Sequence, residues 1–307
     1  MGLTYARIKD KPKKLLALTG LTRTEFDDLL AAFTIVSQPD PAVTQQGHLR
    51  QRKAGGGRKA TLQLAEDRLL FILVYLKTYP LQEIMAELFD LDVSNVNEWI
   101  HRLLPLVRDA LDELGVLPER DAQAVAAAQT QRPTGQTVIL DGTERRRQRP
   151  QNPEKQVLHY SGKKKAHTDK NLVITERKTT RVTYLSQTYP GIAHDKKIAD
   201  HEQIHYMPKT TLYQDTGFQG YQPADVRVRQ PKKKPRGREL TAKQKQRNQS
   251  LARVHVRVEH SLCGVKRCRS TKDVLRNTRE GVSDLFIVNA CGLHNLRVDY
   301  RAQPLRY

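Results

Sequence analysis

Residues Thr137–Glu144 read TVILDGTE, a short β-branched and aliphatic run that ends in an acid followed by a glycine. Such a run, closed by Asp141-Gly142, predicts a strand delivering a carboxylate at its carboxyl end. Working outward, Val157–Tyr160, Leu172–Thr175 and Thr180–Tyr184 are further strand candidates, separated by Gly- and Lys-rich breaks. His194–His205 (HDKKIADHEQIH) reads as a short polar helix. Thr211–Gln214 (TLYQ) is a second short strand ending in an acid, Asp215. The chain turns helical from Leu240 to about Lys266, and Phe286–Leu296 predicts a closing helix. Strands first, then strands alternating with helices, predict a mixed α/β sheet covered by helices.

Upstream of that run the periodicity is helical. Residues 15–36 predict a short helical region with Thr22 or Thr24 as cap, and a Gln-, Gly- and Lys-rich linker ends in GGGRK, Gly55–Lys59. Three apolar segments follow. Thr61 is expected to cap a helix carrying Leu64, Leu69, Ile72, Leu73 and Leu76, which stops at Tyr79-Pro80. A shorter helix carries Leu81, Ile84, Met85 and Leu88. After a turn at Asp90–Asp92, Ser94 is expected to cap a third helix with Val96, Trp99, Ile100, Leu103 and Leu104. Long helix, short helix, turn and capped helix is the order of a helix-turn-helix DNA reader, although an ordinary helical bundle shares it. Asn95, Asn97, Glu98, His101 and Arg102 are the exposed candidates on the third helix.

The 307 residues hold 53 Lys plus Arg against 33 Asp plus Glu, a formal net charge of +20. Between Arg227 and Arg279 stand eighteen Lys or Arg and three acids (Glu239, Glu259 and Asp273), so most of the excess lies there. A second basic cluster runs from Arg145 to Lys170. A field of this sign calls for a polyanion rather than a small metabolite. The longest apolar run, Leu69–Leu76, falls far short of the roughly 20 residues that span a bilayer, so no membrane partner is expected. MGLTYARIKDKPKK has no apolar core of a signal peptide, and the expected setting is a reducing cytoplasm. Cys263, Cys268 and Cys291 fit neither a disulfide framework nor a zinc set and are expected to be structural.

The chemistry is expected at three acids: Asp141, Asp215 in LYQDTGFQG, and Glu259 in RVHVRVEHSLCGVK. Singly, an Asp before a Gly after a strand is most often a turn residue. Together, carboxylates brought to one spot repel one another and lose hydration, a costly arrangement unless divalent cations occupy it. Hard oxygen ligands suit Mg²⁺ or Mn²⁺, and two such ions about 3.5–4 Å apart serve a phosphodiester by assisting both the entering and the leaving oxygen. Glu259 and Lys266 are seven positions apart, two helical turns, and so share a face. PKKKPRGR, Pro231–Arg238, reads as a flexible loop that nucleic acid orders.

From about Gly56 to about Asn295 the sequence resembles the DDE-superfamily transposases of bacterial insertion sequences, in particular the IS-five-like group with an N-terminal helix-turn-helix. LDGTE matches the first Asp at Asp141, QDTGFQG the second at Asp215, and VEHSLCGVK the Glu at Glu259 with Lys266 at the family's spacing. PGIAHDKK, Pro190–Lys197, is similar to the family's Pro-Gly…His-Asp segment. There are departures: His255 stands where relatives often carry Arg, flanked by Arg253 and Arg257, and Ala252 takes the slot of a tyrosine. The resemblance implies a ribonuclease-H-like catalytic domain, two divalent ions on Asp141, Asp215 and Glu259, cut-and-join chemistry on transposon ends, and a homodimer when two ends are paired.

The expected organisation is a helical region over 1–116 with the helix-turn-helix at about 56–110, a linker over 117–133, and the catalytic domain over 134–307. DNA contacts are expected from Arg58, Lys59, Asn95, Asn97 and Arg102, from Lys232, Lys233 and Lys234, and from Arg257, Lys266 and Arg267. Two alternatives share these features: a catalytically silent DNA-binding protein derived from a transposase, and a ribonuclease-H-like endonuclease that never joins strands.

Overall fold

The structure is a computed structural model, and it describes residues 2–38, 61–130 and 137–302. The chain divides into two units, Met1–Val116 and Leu117–Tyr307.

The first unit is helical: α1 (Tyr5–Ile8), α2 (Pro12–Thr19), α3 (Arg23–Val36), α4 (Ala65–Thr78), α5 (Gln82–Phe89) and α6 (Val93–Glu113). α4 is its centre, because every residue from Leu69 to Leu76 is buried, and it packs against α2, α3 and α6. A helix apolar on all sides has to be surrounded. α6 by contrast buries one stripe, Val96, Trp99, Ile100, Leu103, Leu104, Val107 and Leu111, at the i, i+3, i+4 spacing of an amphipathic helix. Thr22 caps α3 in a reciprocal box with Glu25. The other two expected caps are not made. Thr61 lies outside α4, which starts after Leu64, and Ser94 falls inside α6, which starts after Asp92; neither helix has a side-chain cap. The turn between α5 and α6 runs through Asp90 in the left-handed region (φ 57°), a conformation Asp tolerates better than most residues.

The second unit contains α7 (Val125–Thr130), β1 (Thr137–Arg146), α8 (Pro153–His159), β2 (Tyr160–Ser161), β3 (Ala166–Glu176), β4 (Val182–Leu185), β5 (Tyr189–Pro190), α9 (Asp195–Glu202), β6 (Thr211–Gln214), β7 (Arg227–Arg229), α10 (Ala242–Val265) and α11 (Val282–Ala302). Strand order is β2-β3-β1-β6-β7, with β4 and β5 also paired to β3. β1 is antiparallel to β3 and parallel to β6, which is parallel to β7. This is the ribonuclease-H-like mixed sheet with flanking helices. Val138 and Leu140 of β1 join Leu172, Ile174, Ile198 and Phe218 in one core, on the α9 side. The alternate residues, Ile139 and Asp141, therefore face the side where α10 packs across β1 and β6.

Two local readings are corrected. Val157–His159 is helix, not strand: Asn152 accepts the amide of Lys155 and Pro153 occupies the first turn, so a capped start outweighs the β-branched Val157, and only Tyr160 continues into β2. The stretch read as a linker carries structure over its described residues: Glu119 bridges to β4, with Glu119 N donating to Thr183 O (2.9 Å) and Leu185 N to Glu119 O (3.0 Å). Farther along β4, Val182 N donates to Asn295 Oδ1 (2.9 Å) and Asn295 Nδ2 to Val182 O (2.8 Å). All three cysteines are free; Cys268 and Cys291 are buried and Cys263 is exposed.

Candidate active site

The parallel register of β1 and β6 sets Leu140 opposite Gln214. One residue farther along are Asp141 and Asp215, so the two acids stand on adjacent strands. Asp215 follows the end of β6, but Asp141 is in the middle of β1 and not at its end as expected, because pairing with β3 carries the strand on to Arg146. Asp141 Oδ1 accepts the amide of Gly142 (2.8 Å), and Asp215 Oδ1 accepts the amide of Gly217 (2.8 Å) as the cap of a short 3₁₀ turn, Thr216–Phe218. The backbone carbonyl of Asp215 is also held, by Gln230 Nε2 at 2.6 Å. Each carboxylate is thus tied to the backbone that follows it, within β1 for Asp141 and in the turn after β6 for Asp215.

Burial pushes the Asp141 carboxyl up to about 6; the charges of Asp215 and Asp195 add to the rise, while His255 and the Gly142 amide oppose it. The charged form of Asp141 is therefore disfavoured where it stands, and a cation nearby would favour it.

Glu259 lies on α10 with an exposed side chain, and among the described residues it makes no ion pair or hydrogen bond. The structure brings Asp141 and Asp215 together but does not add the Glu259 carboxylate to them, and no three His, Cys, Asp or Glu side chains among the described residues stand in a ligating group. Its helix face is nevertheless turned toward β1. His255 and Lys266 both act on Asp141, and at about 100° per residue positions 255, 259 and 266 fall within about 40° of arc. Glu259 is at the rim of that face. Lys266 is the residue just past the end of α10 and half-buried; burial pulls its ammonium below the usual range, Lys164 does the same, and Asp141 works against them.

Of three further groups here, Lys170 escaped the sequence reading as a site residue, while His255 is met there only as a departure from the family's Arg and Asp195 only as part of the Pro-Gly…His-Asp segment. His255 carries a buried Nε2 with no hydrogen-bond partner among the described residues. Asp195 is the first residue of α9. Lys170, on β3, has a buried ammonium 3.0 Å from Asp195 Oδ1 and 3.3 Å from Glu144 Oε1, and it donates to the carbonyl of Ala193 (2.7 Å). Burial works to raise Glu144, but Ser161 and Lys170 outweigh it and leave that carboxyl below its ordinary range.

The expected DNA contacts are spread over both units. On α6, Asn95 is half-buried, Asn97 is exposed and donates to Gln82 Oε1 (3.4 Å), and Arg102 is exposed with its guanidinium 5.0 Å from the Trp99 ring centre. Arg68 sits 5.5 Å from the same ring. Arg58 and Lys59 lie outside the described residues. In the second unit Lys232, Lys233, Lys234, Arg257 and Arg267 are exposed. The loop that holds the first three, read as one that nucleic acid orders, has contacts of its own: Asn248 of α10 accepts from Lys232 N (2.9 Å) and donates to Lys232 O (2.9 Å), and Lys234 pairs with Glu239.

Residues 140–295 match the endonuclease domain of the DDE superfamily, and residues 61–113 match the helix-turn-helix of DDE superfamily endonucleases. The chain belongs to the DDE superfamily endonucleases. It is similar to a probable transposase for insertion sequence element IS702 of Microchaete diplosiphon, 30% identical over 123 residues, a stretch that covers 40% of this chain and 44% of that relative. No solved structure matches. Among the described residues no helix is long and apolar enough to cross a membrane.

Proposed function

We propose that this chain is a DNA transposase whose helix-turn-helix unit reads the ends of a mobile element and whose sheet domain cuts and joins DNA strands with the help of divalent ions. What supports the reading is that Asp141, within β1, and Asp215, just past β6, follow the paired residues Leu140 and Gln214 of two parallel strands, with α10, which carries Glu259, packed across both strands. Asp141, Asp215 and Glu259 would hold two ions, Mg²⁺ or Mn²⁺, which when bound lower the cost of charge on the attacking and leaving oxygens of a phosphodiester. Lys266, Arg257 and Arg267 would hold phosphates beside the acids, and Lys232, Lys233 and Lys234 would follow the backbone without sequence preference. Asn95, Asn97 and Arg102, with Arg58 and Lys59, would contact the element's ends, two copies of the chain pairing two ends.

Nicking of supercoiled plasmid in Mg²⁺ tests this. Asp141→Asn and Glu259→Gln are each expected to cut nicking by at least about 100-fold, since a metal-ligand carboxylate supplies several kcal/mol at the transition state. Nicking at the wild-type rate by either variant refutes the assignment. Nicks without integration products would favour the endonuclease alternative.

A further inference from the structure

Asp195 comes to Asp141 and Asp215 from α9, the helix on the opposite face of the sheet from α10. A Cβ built on Gly142 would lie 2.9 Å from Asp195 Oδ1. One built on Gly217 would lie 3.4 Å from Asp195 Oδ2 and 2.9 Å from Asp215 Oδ1. Neither glycine has a positive φ, so neither is required for its backbone conformation. They are required for clearance. The glycines that follow the two aspartates leave a gap, and the carboxylate of Asp195 fills it.

Lys170 sets the position of that carboxylate. Its ammonium, on a side chain only 7% exposed, is shared between Asp195 and Glu144, whose side chains are 16% and 6% exposed. One cation between two carboxylates leaves a negative charge uncompensated beside Asp141. A salt bridge serving only to tie α9 to β3 would need neither the second acid nor the two clearance glycines.

We propose that Asp195 is a positioning residue of the candidate site: clamped by Lys170, it holds its carboxylate in the Gly142–Gly217 gap and, through Asp141 and Asp215, strengthens the hold on a divalent cation. This inference rests on the reading that Asp141 and Asp215 bind such a cation. The rival is a purely structural ion pair.

The test uses the full chain without DNA and follows Mn²⁺ binding by the electron paramagnetic resonance signal of the free ion, with circular dichroism to confirm folding. Asp195→Asn keeps the shape and removes the charge. It is expected to weaken Mn²⁺ binding about 10-fold to 100-fold, the effect typical of groups just outside a metal's ligands. Gly142→Ala keeps every charge but crowds Asp195, and is expected to weaken binding comparably. In the double variant Gly142→Ala/Asp195→Ala the crowding partner is gone, so binding should be no weaker than in Asp195→Ala alone. Wild-type affinity in folded Asp195→Asn, with Asp141→Asn binding lost, overturns this inference and leaves the metal reading intact. Equal Mn²⁺ binding by wild type and Asp141→Asn overturns both.

Discussion

Gly264 and His294 touch where α10 meets α11: a Cβ added to Gly264 would lie 2.2 Å from His294 Nδ1 and 2.5 Å from its Cε1. On the far side of the ring, Nε2 is 2.9 Å from the carbonyl oxygen of Thr180, which also accepts from Ser261 Oγ (2.9 Å). The ring is held from both sides, so it cannot retreat from a larger neighbour. Gly264→Ala is expected to destabilise the protein by about 2–3 kcal/mol, the range of overpacked cores. Urea unfolding measures it, and a loss under about 0.5 kcal/mol, the size of an ordinary surface change, would show that the two helices can part cheaply.

The same contact predicts acid sensitivity. Burial lowers the His294 pKa to about 4, with neighbouring arginines adding to the effect and the Thr180 carbonyl opposing it. The unfolded chain takes up this proton near the ordinary value of about 6.5, so between there and about 4 the unfolded state binds more protons. The stabilisation is complete above about pH 6.5 and drains away as pH falls, by about 3 kcal/mol in all. His294→Gln should flatten that part of the stability–pH curve. An unchanged slope would assign the acid lability elsewhere.

Asp141 has the opposite sign. Its folded pKa, about 6, lies above the ordinary 3.8, so its contribution is favourable below about pH 4 and is lost as pH rises through 6. At pH 8 the buried charge costs about 3 kcal/mol before any cation arrives. Asp141→Asn is therefore expected to melt higher than wild type at pH 8 in chelator, and at the same temperature near pH 4. Mg²⁺ should narrow the gap at pH 8 by stabilising the wild type alone. A variant that melts lower at pH 8 would contradict the assigned repulsion.

Arg102 serves Trp99 in the absence of DNA, and an exposed cation–π contact is worth about 0.5–1 kcal/mol. Arg102→Ala should lower stability by no more than that. If the guanidinium also meets a phosphate, the same change should weaken DNA binding and reduce the salt dependence of affinity by about one ion. Equal salt slopes for wild type and variant would confine Arg102 to its packing role.

What could be read from sequence was what local pattern encodes. The strand ending at Gln214, the break before Pro80 and the order of α4, α5 and α6 follow from periodicity and turn residues. Helix starts were harder, because Thr61 and Ser94 are good caps by type and the chain begins both helices elsewhere. The part of the site made by tertiary approach was hidden. Nothing near Lys170 signals that it will meet Asp195, 25 residues on, and nothing in DGT says that its glycine is there to make room. The exposure of Glu259 is equally invisible, since spacing along a helix fixes a face but not how deeply that face is seated.

The hold on β4 by Glu119 on one part and Asn295 on the other has a further outcome. The amides of Val182 and Leu185 and the carbonyls of Val182 and Thr183 are already spoken for along that margin. A foreign strand seeking to extend the sheet from this side would find no ladder to join and would first have to evict a helix side chain. For a chain with so many apolar strand residues, that closure guards against runaway self-association.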